Sequence, residues 1–156
     1  MPNYRRMYGE GGTFAFTLCL ADRRRRTLTD RIDIIREAYR ATCAARPFRT
    51  EAFCVLPDHL HAVWTLPEGD TDYPGRWRGF KLRVTNALGE RIWQPRYWEH
   101  TIRSDEDFAN HVNYVHYNPV KHGLVRDMDE WPHSTWHRWK RENGLTWEMP
   151  PEDMHL

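Results

Sequence analysis

Two histidines one residue apart, His59 and His61, stand at the head of the apolar run Ala62-Val63-Trp64. Side chains two apart on an extended chain share a face, so the two imidazoles project together from Cα atoms roughly 7 Å apart. One divalent ion can bridge them and act there as a Lewis acid. A pair of histidines satisfied by hydrogen bonds at a strand end meets the same spacing, and the motif recurs among unrelated metal hydrolases. It therefore names a metal more readily than a reaction.

A second set of residues narrows the chemistry. At about 100° per residue, Phe108, Val112 and Val115 make an apolar stripe, and His111, Tyr114 and Asn118 make a polar stripe beside it. The phenol of Tyr114 and the carboxamide of Asn118 lie one turn apart on the same side. A helix seated by its apolar stripe over the strand of His59 and His61 brings both groups toward the imidazoles. Two imidazoles and an amide oxygen leave a divalent ion with open positions that phosphate oxygens can fill. A tyrosine hydroxyl beside it is a nucleophile for a phosphodiester. Its attack expels one side of the diester and leaves a phosphotyrosine, which retains the energy of the broken bond for resealing. The phenol is a weak acid and needs a nearby ion or basic group to lose its proton. Tyr117 offers the same group but falls off the polar stripe. Two plainer roles stay open: Tyr114 as a hydrogen-bonded surface aromatic, and Asn118 as a helix cap before Pro119. Asp58 either orients a liganding imidazole or ends the Pro57 turn.

The elements that must position these groups follow from periodicity. Thr13 to Leu20, after Gly11-Gly12, predicts a first strand. Ile32, Ile35, Tyr39 and Cys43 predict a helix capped by Thr29 or Asp30 and ending before Pro47. Phe48 to Leu56 and His59 to Leu66 predict a hairpin broken at Pro57-Asp58. Trp77, Phe80, Val84 and Leu88 predict a second helix closed near Gly89, and Tyr97 to Ile102 a fourth strand. The residues at 99 and 100, Glu99 and His100, then point to opposite faces, and each reads as structural. Ser104-Asp105-Glu106-Asp107 predicts the start of the last helix, with Pro119 ending it. The order β-α-β-β-α-β is an α+β, ferredoxin-like arrangement: an antiparallel sheet with its helices on one face and an added C-terminal helix for the other. The last dozen residues predict no element.

With 156 residues the chain suits one domain over 1–156, residues 124–156 forming a C-terminal extension. Cys19, Cys43 and Cys54 are odd in number and lack CxxC spacing, which favours reduced thiols and a cytosolic compartment. No apolar run is long enough to span a bilayer. Net charge is +1, yet residues 1–97 carry 17 Lys/Arg against 11 Asp/Glu, net +6, and residues 98–156 carry 6 against 11, net −5. That asymmetry suits a basic face for phosphate. Arg76, Arg78, Lys81 and Arg83 on the second helix are candidate DNA contacts, with Arg5 and Arg6 near the start of the chain. Trp136 and Trp139 beside Arg138 and Lys140 suit stacking on an unpaired strand. Solvated surface charge and core tryptophans are the plainer account of each residue taken singly.

Four segments, in order, together carry a resemblance: Tyr4-Arg5-Arg6 with Gly11-Gly12-Thr13; Val55-Leu56-Pro57-Asp58-His59-Leu60-His61; Trp93-Gln94-Pro95-Arg96-Tyr97-Trp98-Glu99-His100; and Tyr114-Val115-His116-Tyr117-Asn118-Pro119-Val120-Lys121-His122-Gly123. The chain resembles the REP-associated tyrosine transposases, a branch of the single-tyrosine HUH (His, hydrophobic, His) transposases, from about Tyr4 to Trp139. The resemblance implies a ferredoxin-like nuclease core, a Mg²⁺ or Mn²⁺ site, and cleavage of single-stranded DNA through a 5′-phosphotyrosine beside REP-type palindromic hairpins. It implies a bacterial, cytoplasmic, nucleoid-associated protein, monomeric or homodimeric, without a membrane or nucleotide cofactor. It matches His59 and His61 to the metal ligands and Tyr114 to the nucleophile. Asn118 stands where insertion-sequence relatives carry a glutamine ligand, so an amide oxygen is kept on a shorter side chain. It suggests that Arg5-Arg6 helps read a short guide sequence beside the hairpin. Two other readings compete: a hairpin-binding regulator with an inactive site, and a metal-dependent hydrolase of small phosphoesters in which Tyr114 is structural.

Overall fold

Phe14, Phe16 and Leu18 alternate with Ala15 and Thr17 along β1 (Thr13–Cys19), and Leu60, Ala62 and Trp64 alternate with His61 and Val63 along β3 (His59–Thr65). Each strand thus has one bulky and one lean side. The computed structural model describes residues 12–144, 147–152 and 154; Arg5 and Arg6 lie outside the described residues. With β2 (Arg49–Val55) and β4 (Trp98–Thr101) the strands form one antiparallel sheet in the order β2-β3-β1-β4. Register aligns Cys54, His61, Thr17 and Trp98 as one row across the four strands. The order and the element sequence are those of the α+β, ferredoxin-like arrangement expected from the sequence.

The bulky side is covered by α2 (Ile32–Ala45) and α3 (Tyr73–Leu88). Trp64 lies on Trp77 with ring centroids 4.0 Å apart and planes at 17°. α3 begins under a side-chain cap from Asp72 and closes at Gly89, whose φ of 79° is a conformation glycine adopts without strain. α2 departs from expectation at its start. Thr29 and Asp30 belong to a separate one-turn helix, α1 (Thr27–Asp30), and the N-cap of α2 is Arg31, without a side-chain capping bond. Burial of Leu28 holds that turn and overrides the capping pattern.

The lean side carries α4 (Asp105–Lys121), which packs Phe108, Val112 and Val115 onto Ala15, Ala52, Cys54 and Val63. Its start is as expected, the Ser104 hydroxyl accepting from the Asp107 amide at 3.0 Å. Its end is not. Pro119 sits inside the helix, which runs on through Lys121. Near a C-terminus a proline forfeits one bond of the ladder, and the last turn is closed by His122 N–H to Asn118 O (3.0 Å) and Leu124 N–H to Pro119 O (2.9 Å). The extra turn places Lys121 and His122 in the same array as Tyr114. Beyond it, residues 133–135 run along the outer edge of β2 (Val55 N–H to His133 O and Thr135 N–H to Phe53 O, both 2.9 Å) and lead into α5 (Trp136–Asn143). That covers an otherwise open sheet edge. No helix among the described residues is long and apolar enough to cross a membrane.

Candidate active site

The polar stripe of α4 lies over β3, so the two sequence patterns meet. The rings of His59 and His61 are 4.9 Å apart, and that of Tyr114 is 5.6 Å from His61. His122, one turn past Asn118, lies 5.1 Å from His59. Each imidazole is held from behind. His59 Nδ1 donates to Asp58 Oδ1 at 2.7 Å, and His61 Nδ1 meets Thr17 Oγ1 at 2.8 Å. The Asp58 carboxylate can only accept, so the proton of His59 sits on Nδ1 and its Nε2 lone pair is free, and Thr17 anchors the His61 ring by Nδ1 with Nε2 turned to the other side. Asp58 therefore orients an imidazole, and it is itself held by Arg23 Nε at 2.7 Å. Burial raises the Asp58 carboxyl, but the bonds from His59 and Arg23 prevail and keep it below the usual range.

Burial pushes both histidines toward the neutral form. For His61, fully enclosed, the shift is large, with the charge of His59 adding to it; for His59 burial outweighs the support of Asp58. Neutral imidazoles are donors to a metal. Asn118 Nδ2 donates to the Tyr114 carbonyl at 3.2 Å, which fixes the carboxamide so that its side chain acts on both imidazoles. Among the described residues His61 Nε2 and Asn118 Oδ1 are buried with no hydrogen-bond partner. Two unpaired acceptors brought together out of water are unfavourable unless a cation lies between them. His59, His61 and Asn118 thus fit a divalent ion that keeps positions open for other oxygens.

Tyr114 is 3% exposed. Its hydroxyl accepts a hydrogen bond from Lys121 Nζ at 2.8 Å, and the same ammonium lies 4.6 Å from the ring centroid. Met149, Pro150, Pro151, Glu152 and Met154 line a cleft together with Tyr114, Tyr117 and Lys121. Tyr117 points off the polar stripe, its ring 5.6 Å from Trp147.

A second cleft opens at His59. It is lined by Arg23, Arg24, Arg25 and Arg26 with Pro57, Asp58 and His122. From sequence this arginine run reads only as a polar connection; the turn that carries it to His59 is set by tertiary contacts, Leu20 N–H to Asp58 O (2.9 Å) and Leu28 N–H to Pro57 O (3.2 Å). Thr17, Lys121 and His122 were likewise missed as contributors. Lys121 and His122 continue the helical stripe of Tyr114 and Asn118, a signal hidden by ending the helix at Pro119.

The expected DNA contacts are dispersed. Arg76 is not a free contact: it is 3% exposed, and its guanidinium donates to Arg46 O, Pro47 O, Asp72 O and both oxygens of Asp70. It braces the start of α3. Arg78 is exposed, Lys81 donates to Gln94 O at 3.1 Å and Arg83 to Thr42 Oγ1 at 3.1 Å, all on the helix that covers the opposite side of the sheet. Trp136 is 5% exposed and donates to Asp129, which also pairs with Lys140; Trp139 stacks on Trp136 at 5.6 Å and packs toward the core. Arg138 donates to Thr50 O at 2.7 Å. These four fasten α5 to its neighbours.

His100, Asp107 and His111 form another cluster of donor atoms. His100 does face the site side, while Glu99 bonds Tyr73 on the other. The imidazoles of His100 and His111 are stacked at 4.5 Å and 14°, so their in-plane lone pairs run side by side instead of converging. Asp107 already accepts from His100 at 2.8 Å and from the Arg103 amide at 3.0 Å. The cluster is a hydrogen-bonded brace between β4 and α4.

No protein-family model matches the chain. A REP-associated tyrosine transposase of Escherichia coli K12 is 49% identical to it over 139 residues, covering 88% of this chain and 84% of the relative. A relative in Haemophilus influenzae, bearing the same family name, is 43% identical and covers 98% of this chain and 93% of its own length. The solved structure of a REP-associated tyrosine transposase bound to a REP hairpin superposes with a TM-score of 0.83 at 48% identity, over 93% of this chain and 88% of that one. A crystal structure from Deinococcus radiodurans, 17% identical with a TM-score of 0.51 over 70% of this chain and 91% of that one, shares the fold alone.

Proposed function

This chain belongs to the REP-associated tyrosine transposases, DNA-cleaving enzymes, and from that premise we propose that it binds REP-type palindromic hairpins and cuts the adjoining single strand through a covalent bond from Tyr114 to a 5′ phosphate. The observation that carries this reading is the convergence of a buried phenol, two neutral imidazoles and an unpartnered amide oxygen where one helix crosses one strand. A bound hairpin in a relative of 48% identity supports the choice of DNA.

His59, His61 and Asn118 would hold Mg²⁺ or Mn²⁺. When bound, such an ion supplies a Lewis acid that draws charge from the phosphate oxygens. The remaining work belongs to the chain. Asp58 keeps His59 in the tautomer that presents Nε2, and Thr17 anchors the His61 ring by Nδ1. Lys121, donating to the phenol oxygen, holds that oxygen in place and sets a positive charge beside the phosphate that it attacks. The Tyr114 oxygen bonds to phosphorus as the bond to the 3′ oxygen breaks, and that oxygen leaves with a proton taken up from solvent. Reversal of the same step joins a new 3′ end without a nucleoside triphosphate. The arginines at positions 23–26 line the cleft beside His59 and suit the backbone of the approaching strand. Within the C-terminal extension, residues 133–135 close the edge of β2.

The test is Tyr114→Phe. Incubated with hairpin oligonucleotides and Mn²⁺, the native chain forms a protein-DNA adduct that survives a denaturing gel. The variant forms none yet retains hairpin affinity within about twofold. An adduct of undiminished yield in the variant assigns the nucleophile elsewhere.

A further inference from the structure

Among the described residues Trp98 is one of few large apolar side chains left open, 36% exposed on β4. Its indole does not stand alone. It lies parallel to His100 (centroids 5.8 Å, planes at 10°) and to His111 (6.1 Å, 16°), and those two imidazoles are stacked on each other at 4.5 Å. The Asp107 carboxylate and carbonyl hold both imidazoles by their nitrogens. The indole therefore lies parallel to a braced pair of imidazoles and is itself open to solvent.

Its position is informative. Trp98 pairs with Thr17 in the sheet, and Thr17 pairs on its other side with His61 and bonds its imidazole. The indole and the liganding imidazole thus project from the same side of the sheet, two strands apart, or roughly 10 Å at the usual strand spacing. On α4, His111 precedes Tyr114 by three residues, about 4.5 Å of helix. The aromatic stack begins one helical turn from the phenol, at the end of the polar stripe opposite His122 and the arginine cleft. A strand with its backbone in the arginine cleft that runs past Tyr114 in the direction of His111 carries its far flank toward Trp98.

We infer that the open face of Trp98, backed by His100 and His111 beside Tyr114, is a stacking site for one unpaired nucleobase in the single strand flanking the hairpin. Stacking tolerates any base, because every base has a π face, so the site positions the flank without reading its sequence. This inference rests on the proposed function.

The experiment compares the full chain with Trp98→Ala and Trp98→Phe in EDTA, where cleavage does not intervene. The probes are a blunt REP-type hairpin and the same hairpin with a short single-stranded flank carrying 2-aminopurine at successive positions. The native chain binds the flanked hairpin more tightly and quenches 2-aminopurine at one position. In Trp98→Ala that quenching disappears and affinity for the flanked hairpin falls about tenfold, with the blunt hairpin unaffected. Trp98→Phe recovers most of both. Quenching and flank affinity that persist in Trp98→Ala overturn the stacking site alone. Failure of the native chain to bind either hairpin overturns the proposed function, a result the blunt probe reports separately.

Discussion

The two sides of one sheet have been put to opposite uses. On the side of α2 and α3, Phe16, Trp64, Trp77 and Phe80 interlock as edge-to-face and stacked rings, with Phe14 and Leu60 in the same core. Among the polar atoms there, Trp64 Nε1 donates to the Tyr39 hydroxyl at 3.0 Å, which in turn meets Thr50 Oγ1, while the indole N–H donors of Trp77 and Trp93 are buried without a partner among the described residues. On the side of α4 the contact residues are small, Ala15, Ala52, Cys54 and Val63, and the buried set includes His59, His61, His111, His116 and Asn118. Here acceptors are left without partners. Burial of apolar area stabilises the first side by the ordinary hydrophobic term, whereas the second gives up part of that term to bury lone pairs that, in the proposed function, meet a cation. Stability and chemistry are thereby separated to opposite sides of a layer one residue thick.

That contrast can be broken in three ways. The largest effect is expected from His59→Ala with His61→Ala, which removes cleavage altogether in Mn²⁺, as EDTA does with the native chain. Because the rings lost are polar and that of His61 carries a buried nitrogen without a partner, the midpoint of denaturant unfolding in the metal-free protein moves far less than for a core truncation. Cleavage persisting in the double variant contradicts the metal site. Next comes Trp64→Ala on the other side, which costs about 3–5 kcal/mol by removing a fully buried indole stacked on Trp77. Chemical denaturation reads that loss, and single-turnover cleavage by whatever remains folded stays near the native rate. The smallest effect is Lys121→Met, which keeps the aliphatic stem and removes the ammonium from the phenol oxygen. Adduct formation slows roughly 100-fold with hairpin affinity and unfolding midpoint nearly unchanged. An unaltered rate leaves Lys121 a surface contact of the ring.

The fold was largely legible, because strands with one bulky and one lean side and helices with one apolar stripe admit few arrangements. Local rules failed where tertiary contact outweighed them. Leu28, buried under the sheet, turned the expected cap of α2 into a helical turn of its own, and the packing of α4 carried it past Pro119. The site was legible in part. His59, His61, Tyr114 and Asn118 could be named because two periodicities, of two and of 3.6, put each pair on one side of its element. The arginine contacts were less legible, since a guanidinium that braces a loop and one that meets phosphate look alike in sequence. Arg76 is the case in point, its donors all taken by Asp70, Asp72 and the carbonyls near Pro47.

What the amino-acid order determined by itself was which side chains share a side of a strand or helix, because backbone geometry alone decides that. It also determined the family, through four motifs in order. Only the tertiary structure decided that α4 crosses β3 so that Asn118 faces both imidazoles, that Lys121 turns back onto the phenol, and that Trp98 crowns a stack of imidazoles two strands from His61. The first and last are relations between residues 37 to 59 positions apart in the chain, set by sheet register and helix crossing, which no local periodicity encodes; Lys121, seven residues after Tyr114, needed only the helix to continue past Pro119.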